Sequence, residues 1–463
     1  MKKELFLLLL ILPPLTGHGL IAVCPNPEKN YKAEWIVANC SNCSLKVIGK
    51  KIWKKDVFSL TIITNNKTAF LKEFPEFKNL KPYIEDGIVL PNRGAKIVLK
   101  DGNNISNFTY KNAKKGEIFY KTNYWHICYE DWSNFKPITL NTTYTIIQSP
   151  SNYKFECEKA IVFSYTYTYP AINSENVTYY LEKNTVGGTP SQELNLKNVH
   201  FLAGSYRFFH YKFAILWRNN VTESIITTEN WKWCNRGYYV VFKDKNVSNF
   251  LFKVIQHDKM YVDGFPKKTR RYYLINNNKF SKINKKEFKG KITIFILPDC
   301  SVHNPIIETI NSAKNRLYIE APYLLYYPEL INAIKNASKR VKILILLSKI
   351  DNCKYLESIP NVSVKFYPHI HGKLIISDEK AIITSANLDK CGLEMNREMG
   401  VIVYGKVSDW LAKKFMDDYN FGIKSFKINK SKFLLFIVFF AIIATLLFAT
   451  LSYYKILLPR KKM

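Results

Sequence analysis

Two histidines are each followed, two positions on, by a lysine: His210-Tyr211-Lys212 and His371-Gly372-Lys373. In an extended strand alternate side chains share a face, so each imidazole stands beside an ammonium. Both pairs lead into similar sequence. The first runs on to Ile225-Ile226-Thr227-Thr228-Glu229-Asn230 and then Asn235-Arg236-Gly237. The second runs on to Ile382-Ile383-Thr384-Ser385-Ala386-Asn387 and then Asn396-Arg397-Glu398. The step from His to Asn-Arg is 25 positions in both, from 210 to 235 and from 371 to 396; only the inner turn, around Arg218 to Glu223, is longer in the first. The same residues at the same spacing indicate two copies of one unit. Packed about a pseudo-twofold axis, the copies would form one pocket with two imidazoles and two ammonium groups, which suits a phosphodiester. One histidine attacks phosphorus, the other protonates the leaving oxygen, and the lysines neutralise the equatorial oxygens. Asn230, Asn387 and Ser385 can donate hydrogen bonds to those oxygens. No metal or other cofactor is needed. Cys40-x-x-Cys43 has no second pair or histidine partner at ligand spacing.

The series His371-x-Lys373-x4-Asp378, Ser385-x-Asn387 and Asn396-Arg397-Glu398 resembles the HKD motif of the phospholipase D superfamily. The first copy matches at His210, Lys212 and Asn230, but Trp217 stands in place of the motif's Asp and Gly237 in place of Glu398. Thr185-Val186-Gly187-Gly188-Thr189-Pro190 resembles a loop these proteins carry upstream of the first motif. The resemblance covers about residues 140–425. It implies that His371, Lys373, His210, Lys212 and Glu398 are catalytic, that Asp378 supports its motif, and that catalysis passes through a phosphohistidine. With Glu398 as the one surviving motif carboxylate, one histidine alone would be oriented by it. If that carboxylate reaches across the axis, as the superfamily allows, His210 is the nucleophile and His371 the general acid; if it stays in its own half, the roles swap.

The elements that must position these residues read as an α/β two-fold repeat, with mixed sheets flanked by helices. In the second copy, residues 316–320, 341–347, 362–367, 373–376, 381–384 and 401–404 are apolar strand-like runs. Pro328 opens a helix with Leu330, Ile331, Ile334 and Ala337 on one face, and residues 407–421 form a closing amphipathic helix. In the first copy residues 161–168 read as a strand, with a short helix before Glu182. In front, Trp35-Ile36-Val37, residues 59–63 and residues 95–99 are short β-rich runs between turn signals, which predicts a small β-sandwich. Cys24-Pro25-Asn26-Pro27, Glu34-Trp35 and the stretch from Leu90 to Asp101 resemble the lamin-tail domain, an immunoglobulin-like module.

Lys2, Lys3 and the run from Leu5 to Leu12 read as a secretory signal over residues 1–19. The stretch from Phe433 to Leu451 is free of charge and long enough to span a bilayer, and the cationic tail places it in the cytoplasm. The expected organisation is signal 1–19, sandwich 20–115, linker 116–142, first half 143–265, basic linker 266–291, second half 292–425, transmembrane helix 433–454 and tail 455–463. An ectodomain is consistent with glycosylation acceptors such as Asn39, Asn107, Asn176 and Asn246, and with disulfides among the nine cysteines.

Apolar residues make up 47% and aromatics 15%, which excludes a mainly disordered chain. With 68 Lys plus Arg against 37 Asp plus Glu the net charge is +31, which fits an acidic partner, either nucleic acid or an anionic lipid surface, or else a Lys-rich background composition. Lys267, Lys268, Arg270, Arg271, Tyr272, Tyr273, Lys282, Lys285, Lys286 and Lys289 interleave cations with aromatics, as a backbone-tracking segment or a solvated linker would. The favoured reading is a membrane-anchored, monomeric surface phosphodiesterase acting on nucleic acid. A phospholipase or phosphatidyl transferase, and a non-catalytic surface-binding protein with a decayed first motif, are the alternatives.

Overall fold

Short runs of Val, Ile and Thr recur along this chain, and the computed structural model accordingly carries many strands. It describes residues 19–424 apart from 122–123, 150–153, 170, 232–234, 272–283, 300–303, 350–353 and 369. The chain divides into two units, Met1–Gly422 and Ile423–Met463. In the second the described residues form a short strand, Ile423–Lys424. The expected transmembrane segment 433–454 and tail 455–463 lie outside the described residues, as does the expected signal up to residue 18. No helix among the described residues is long and apolar enough to cross a membrane.

The first half contributes strands β1 (Ile138–Gln148), β2 (Lys159–Ser164), β3 (Val177–Glu182), β4 (Val199–Leu202), β5 (Phe213–Arg218), β6 (Val221–Thr227) and β7 (Tyr238–Phe242). The second contributes β8 (Asn284–Leu297), β9 (Leu317–Ala321), β10 (Ile343–Leu347), β11 (Val362–Phe366), β12 (Leu374–Ser377), β13 (Lys380–Thr384) and β14 (Glu398–Tyr404). All lie in one sheet, in the order β4-β3-β2-β5-β6-β7-β1-β8-β14-β13-β12-β9-β10-β11. Read outward from the centre, the two halves have the same order. β2-β3-β4 and β9-β10-β11 are parallel, and β5 and β12 join them antiparallel. The halves meet where β1 and β8 pair antiparallel, from Ile138↔Ile294 to Gln148↔Asn284. An antiparallel pair maps onto itself under a two-fold rotation, so this ladder carries the pseudo-twofold axis.

Each half closes with a helix after its last hairpin. α1 (Lys245–Asp258) starts at Asp244, whose side chain accepts from Asn246 N, and buries Val247, Phe250, Leu251, Val254 and Ile255, an apolar stripe at helical spacing. Its counterpart, α4 (Lys406–Phe421), buries Val407, Leu411, Phe415 and Tyr419. Before it come α2 (Pro328–Ser338), which buries Leu330, Ile331, Ile334 and Ala337 as its spacing predicts, and α3 (Lys390–Glu394).

In front stand two sheets. One orders Trp125–Tyr129, Glu117–Lys121, Gly19–Asn26, Trp35–Asn39, Thr61–Thr64 and Ile84–Asp86; the other orders Ile52–Val57, Cys43–Ile48, Gly94–Asp101 and Asn104–Lys111. They share a core that includes Val23, Ile36, Leu45, Val47, Ile63, Ile97 and Leu99. Cys40 and Cys43 are disulfide-bonded to each other, and Cys128 is also in a disulfide. Cys24, Cys157 and Cys391 are free.

Three boundaries differ from the sequence expectation. The stretch 116–142 is not a linker: Glu117–Lys121 pairs with Gly19–Asn26, Trp125–Tyr129 pairs with it in turn, and β1 begins at Ile138. The alternation of buried Ile118 and Tyr120 explains it. The basic segment 266–291 is not wholly linker either, since Lys285, Lys286 and Lys289 lie on β8, paired with β1. The short helix expected before Glu182 is instead β3, the strand Val177–Glu182, rich in Val, Thr and Tyr.

Candidate active site

His210 lies between β4 and β5, and His371 between β11 and β12, the same place in each repeat. The main chain ties them across the axis. His210 N and Tyr211 N both donate to Arg397 O, at 2.9 and 2.7 Å; His371 N and Gly372 N both donate to Arg236 O, at 2.8 and 2.7 Å. The two arginines anchor reciprocally. Arg236 forks onto Asp418 of α4 with two contacts of 2.8 Å. Arg397 forks onto Asp258 of α1 at 2.9 and 3.1 Å and reaches Asp299 at 2.6 Å. Each histidine loop therefore rests on the other half's Asn-Arg segment, and each arginine on the other half's helix in the first case and the second alike.

The carboxylates cross the axis too. Glu398 Oε1 is 2.7 Å from His210 Nδ1, and Glu398 accepts from Ser385 Oγ at 2.5 Å and Asn396 Nδ2 at 3.0 Å. His371 has a partner that the motif comparison missed: Glu229 Oε1 is 3.4 Å from its Nδ1. Glu229 accepts from Thr228 Oγ1 at 3.2 Å, as Glu398 does from the equivalent Ser385. The first copy has thus exchanged positions. Where the second copy has Ala386 and Glu398, the first has Glu229 and Gly237. A Cβ at Gly237 would lie 1.7 Å from Glu229 Oε1, so the glycine leaves the space that the glutamate fills. The expectation of a single oriented histidine is corrected by this arrangement.

Lys212 and Lys373 are fully buried. Lys212 Nζ is 3.1 and 3.0 Å from the two ring nitrogens of His210; Lys373 Nζ is 3.4 and 3.5 Å from those of His371. Each also donates to its histidine's carbonyl. Burial pulls Lys212 well below its usual pKa, and pulls Lys373 down to about 8 against the opposing pull of Glu229, Glu398 and Glu320. Burial likewise lowers both imidazoles to about 4. For His210, Glu398 opposes the shift while Lys212 and Lys373 add to it; for His371, Lys373 and Lys212 add to it and Glu229 opposes. Burial alone would raise Glu398, but His210, Lys212 and Ser385 outweigh it and hold the carboxyl ionised. The ammonium of each half acts on the imidazole of the other, so the four side chains form one electrostatic unit. A carboxylate on Nδ1 keeps the proton there and leaves the lone pair on Nε2, the state a nucleophilic imidazole requires.

The rim on the His210 side is aromatic and basic. Tyr165 meets His210 edge-on at 4.8 Å, Phe208 meets Tyr165 at 5.7 Å, and the Arg207 guanidinium lies 5.3 Å over Phe208. Tyr165 Oη accepts from Val186 N at 2.6 Å, fixing the Thr185–Pro190 turn, where Gly187 and Gly188 have φ of +85° and +109°. Asn230 and Asn387 are half-buried, each with an Oδ1 that has no internal partner. Asp378 does not join the group. It sits at φ +52° in the β12–β13 turn, and its carboxylate accepts from the backbone of Lys314, Asn315 and Arg316 at 2.8–2.9 Å. At its counterpart position Trp217 packs on Phe252 and under Lys159.

Residues 306–419 match the family model described as "Cardiolipin synthase, PLD-like domain". Over 132 residues the chain is 27% identical to a cardiolipin synthase of Clostridium perfringens (strain SM101 / Type A), a match covering 25% of this chain and 28% of that protein. The chain thus spans well under two thirds of the relatives it matches. Similar solved structures include NucT from Helicobacter pylori, with TM-score 0.27 and 23% identity over 29% of this chain and 98% of that one. Another is the phosphatidylserine synthase of Haemophilus influenzae Rd KW20, with TM-score 0.38 and 12% identity over 58% and 81% of the two chains. The similarity to the PLD-like domain thus lies in residues 306–419, the segment that carries His371, Lys373 and Glu398.

Proposed function

We propose that this chain is a phosphodiesterase that works through a phosphohistidine, with nucleic acid as its substrate. The observation that carries the proposal is the doubled His-Lys-carboxylate set, each carboxylate bonded to the histidine of the opposite half. In this reading His210, oriented by the shorter and better-supported carboxylate contact, attacks phosphorus from Nε2. The phosphate's negative charge raises the pKa of His371, which then carries the proton delivered to the leaving oxygen. Lys212, Lys373, Asn230 and Asn387 stabilise the equatorial oxygens, and Ser385 and Asn396 hold Glu398. Water later attacks the phosphohistidine with His371 as base. Asp378 acts at a distance, by holding the 314–316 backbone.

Nucleic acid is favoured by the aromatic and basic rim of Tyr165, Phe208 and Arg207, a surface on which unpaired bases stack while cations track the backbone. Exposed Lys267, Lys268, Arg270 and Arg271 extend that charge. A lipid substrate draws on one observation. Leu325 and Tyr326 are 37% and 65% exposed, and Leu325 N bonds Leu388 O, next to Asn387. The front sandwich, in the reading as an immunoglobulin-like lamin-tail module, would position the substrate. The chain would act as a monomer at a cell surface, its ectodomain outward on a single C-terminal anchor. Bis-nitrophenyl phosphate turnover, followed by parallel assays on labelled single-stranded DNA and labelled phospholipid, tests the proposal. Hydrolysis of the generic diester and of DNA is expected. Turnover of phospholipid alone would replace nucleic acid by lipid, and inactivity on all three would leave a binding protein.

A further inference from the structure

We propose that His126, Glu329 and Glu394 form a site for a divalent transition-metal ion that ties the front sandwich to the second half of the repeat. The three come from separate elements: His126 from the strand Trp125–Tyr129, Glu329 from the first turn of α2, and Glu394 from the end of α3. One ligand atom from each lies within 4.8 Å of the others; bonds of about 2.0–2.2 Å to one ion require His126 to ligate through a single ring nitrogen and the carboxylate on the other nitrogen to swing toward the ion. Glu329 Oε1 is 3.1 Å from His126 Nε2, and Glu394 Oε1 contacts Nδ1. His126 and Glu394 are buried, with side chains 8% and 10% exposed.

An independent observation points to a ligand. Glu394 Oε2 is buried and has no hydrogen-bond partner. A carboxylate oxygen in that state is costly unless a cation or donor satisfies it. The surroundings are those of a held ligand set. The hydroxyl of Tyr327, itself buried, lies 2.8 Å from Glu329 Oε2 and also contacts Glu394, its one proton shared between the two carboxylates. Tyr120 stacks on the imidazole at 5.3 Å. Outer contacts of this kind fix ligand orientation in metal sites. Charge also favours an ion. Two carboxylates and a protonated imidazole leave one net negative charge inside the protein, whereas two carboxylates, a neutral imidazole and a divalent ion leave none. One imidazole with two carboxylates suits zinc and its neighbours rather than magnesium or calcium, which take oxygen alone.

The proton is the competitor. An imidazole ligates through a neutral nitrogen, so an ion competes with the proton that Glu329 and Glu394, one on each ring nitrogen, would otherwise share with His126. The ion takes no part in bond making in the His-Lys pocket. Its effect on that pocket is mechanical, because Glu394 stands two residues before Asn396, which donates to Glu398.

The test is a zinc titration of the full-length protein against a chromophoric chelator, with proton release measured in weak buffer, beside the variants Glu394→Gln and Glu329→Gln. The expected result is one tight zinc per chain with release of about one proton, and an affinity reduced ~10–100-fold or more in each variant. Zinc should raise the unfolding temperature of the wild type and, at the same concentration, raise that of the variants less. X-ray absorption at the zinc edge of the wild type keeps the proposal falsifiable if either variant fails to fold; it should give a nitrogen and oxygen shell. Equal zinc affinity in wild type and variants, or a sulfur shell from the free cysteines, would overturn the proposal.

Discussion

Glu229 and Glu398 do the same work from different positions of the unit, and they do it unequally. Glu398 lies 2.7 Å from its histidine and has two further donors, while Glu229 lies 3.4 Å from its own. Glu398→Gln should therefore lower kcat by ~10²-fold or more, the scale of losing a pre-set electrostatic partner, and Glu229→Gln by less. Steady-state kinetics on bis-nitrophenyl phosphate check the order. Lys373 gives a pH signature. Its pKa is depressed to about 8, so the ammonium is present below that pH and lost as pH rises through it. The activity should fall above about pH 8, and Lys373→Arg, which cannot deprotonate there, should retain less activity but lose that alkaline limb. An unchanged limb would assign it to another group. At this scale the sequence was legible where chemistry needs a residue type at a fixed offset, as for His210, Lys212, His371 and Lys373. It was not legible for Glu229, because a column-by-column comparison looks for the carboxylate at Gly237 and does not register that a side chain from the neighbouring hairpin turn fills the same space.

The hairpins β5–β6 and β12–β13 deliver these groups, and the exchange between them is itself testable. Glu229→Ala should lose the second carboxylate, and Gly237→Glu alone should clash with Glu229. The double variant Glu229→Ala with Gly237→Glu copies the arrangement of Ala386 and Glu398, and should recover activity over both single variants. A double variant no better than Glu229→Ala would mean that the two positions are not equivalent. Elements of the second half were readable because Val341 to Leu347 and its neighbours are continuous apolar runs bounded by turns. The first half misled where Val177 to Glu182 carries tyrosines and a threonine in place of such a run. The supposed linker misled because strands Glu117–Lys121 and Trp125–Tyr129 are only five residues each, and the strand that ties them into the sheet, Gly19–Asn26 beside Glu117–Lys121, lies about a hundred positions away.

Over the whole molecule, the two halves hold each other. Arg236 reaches Asp418 and Arg397 reaches Asp258, each an arginine of one half on the closing helix of the other. Composition gives no sign of this; the signal was an Asn-Arg pair 25 positions after each histidine and an Asp near the end of each following helix. Removing Arg397 strands Asp258 and Asp299 in the interior, and Arg397→Met should destabilise the fold by ~3–5 kcal/mol in urea unfolding. A loss below ~1 kcal/mol would mean that the network is dispensable. The same crossing sets the division of labour between the histidines, since Glu398 of the second half serves His210 of the first. That claim is tested most directly by turning over labelled substrate, quenching rapidly with denaturant at alkaline pH, where the acid-labile phosphohistidine survives, and mapping the modified peptide by mass spectrometry. The phosphate is expected on His210. A phosphate on His371 would contradict it.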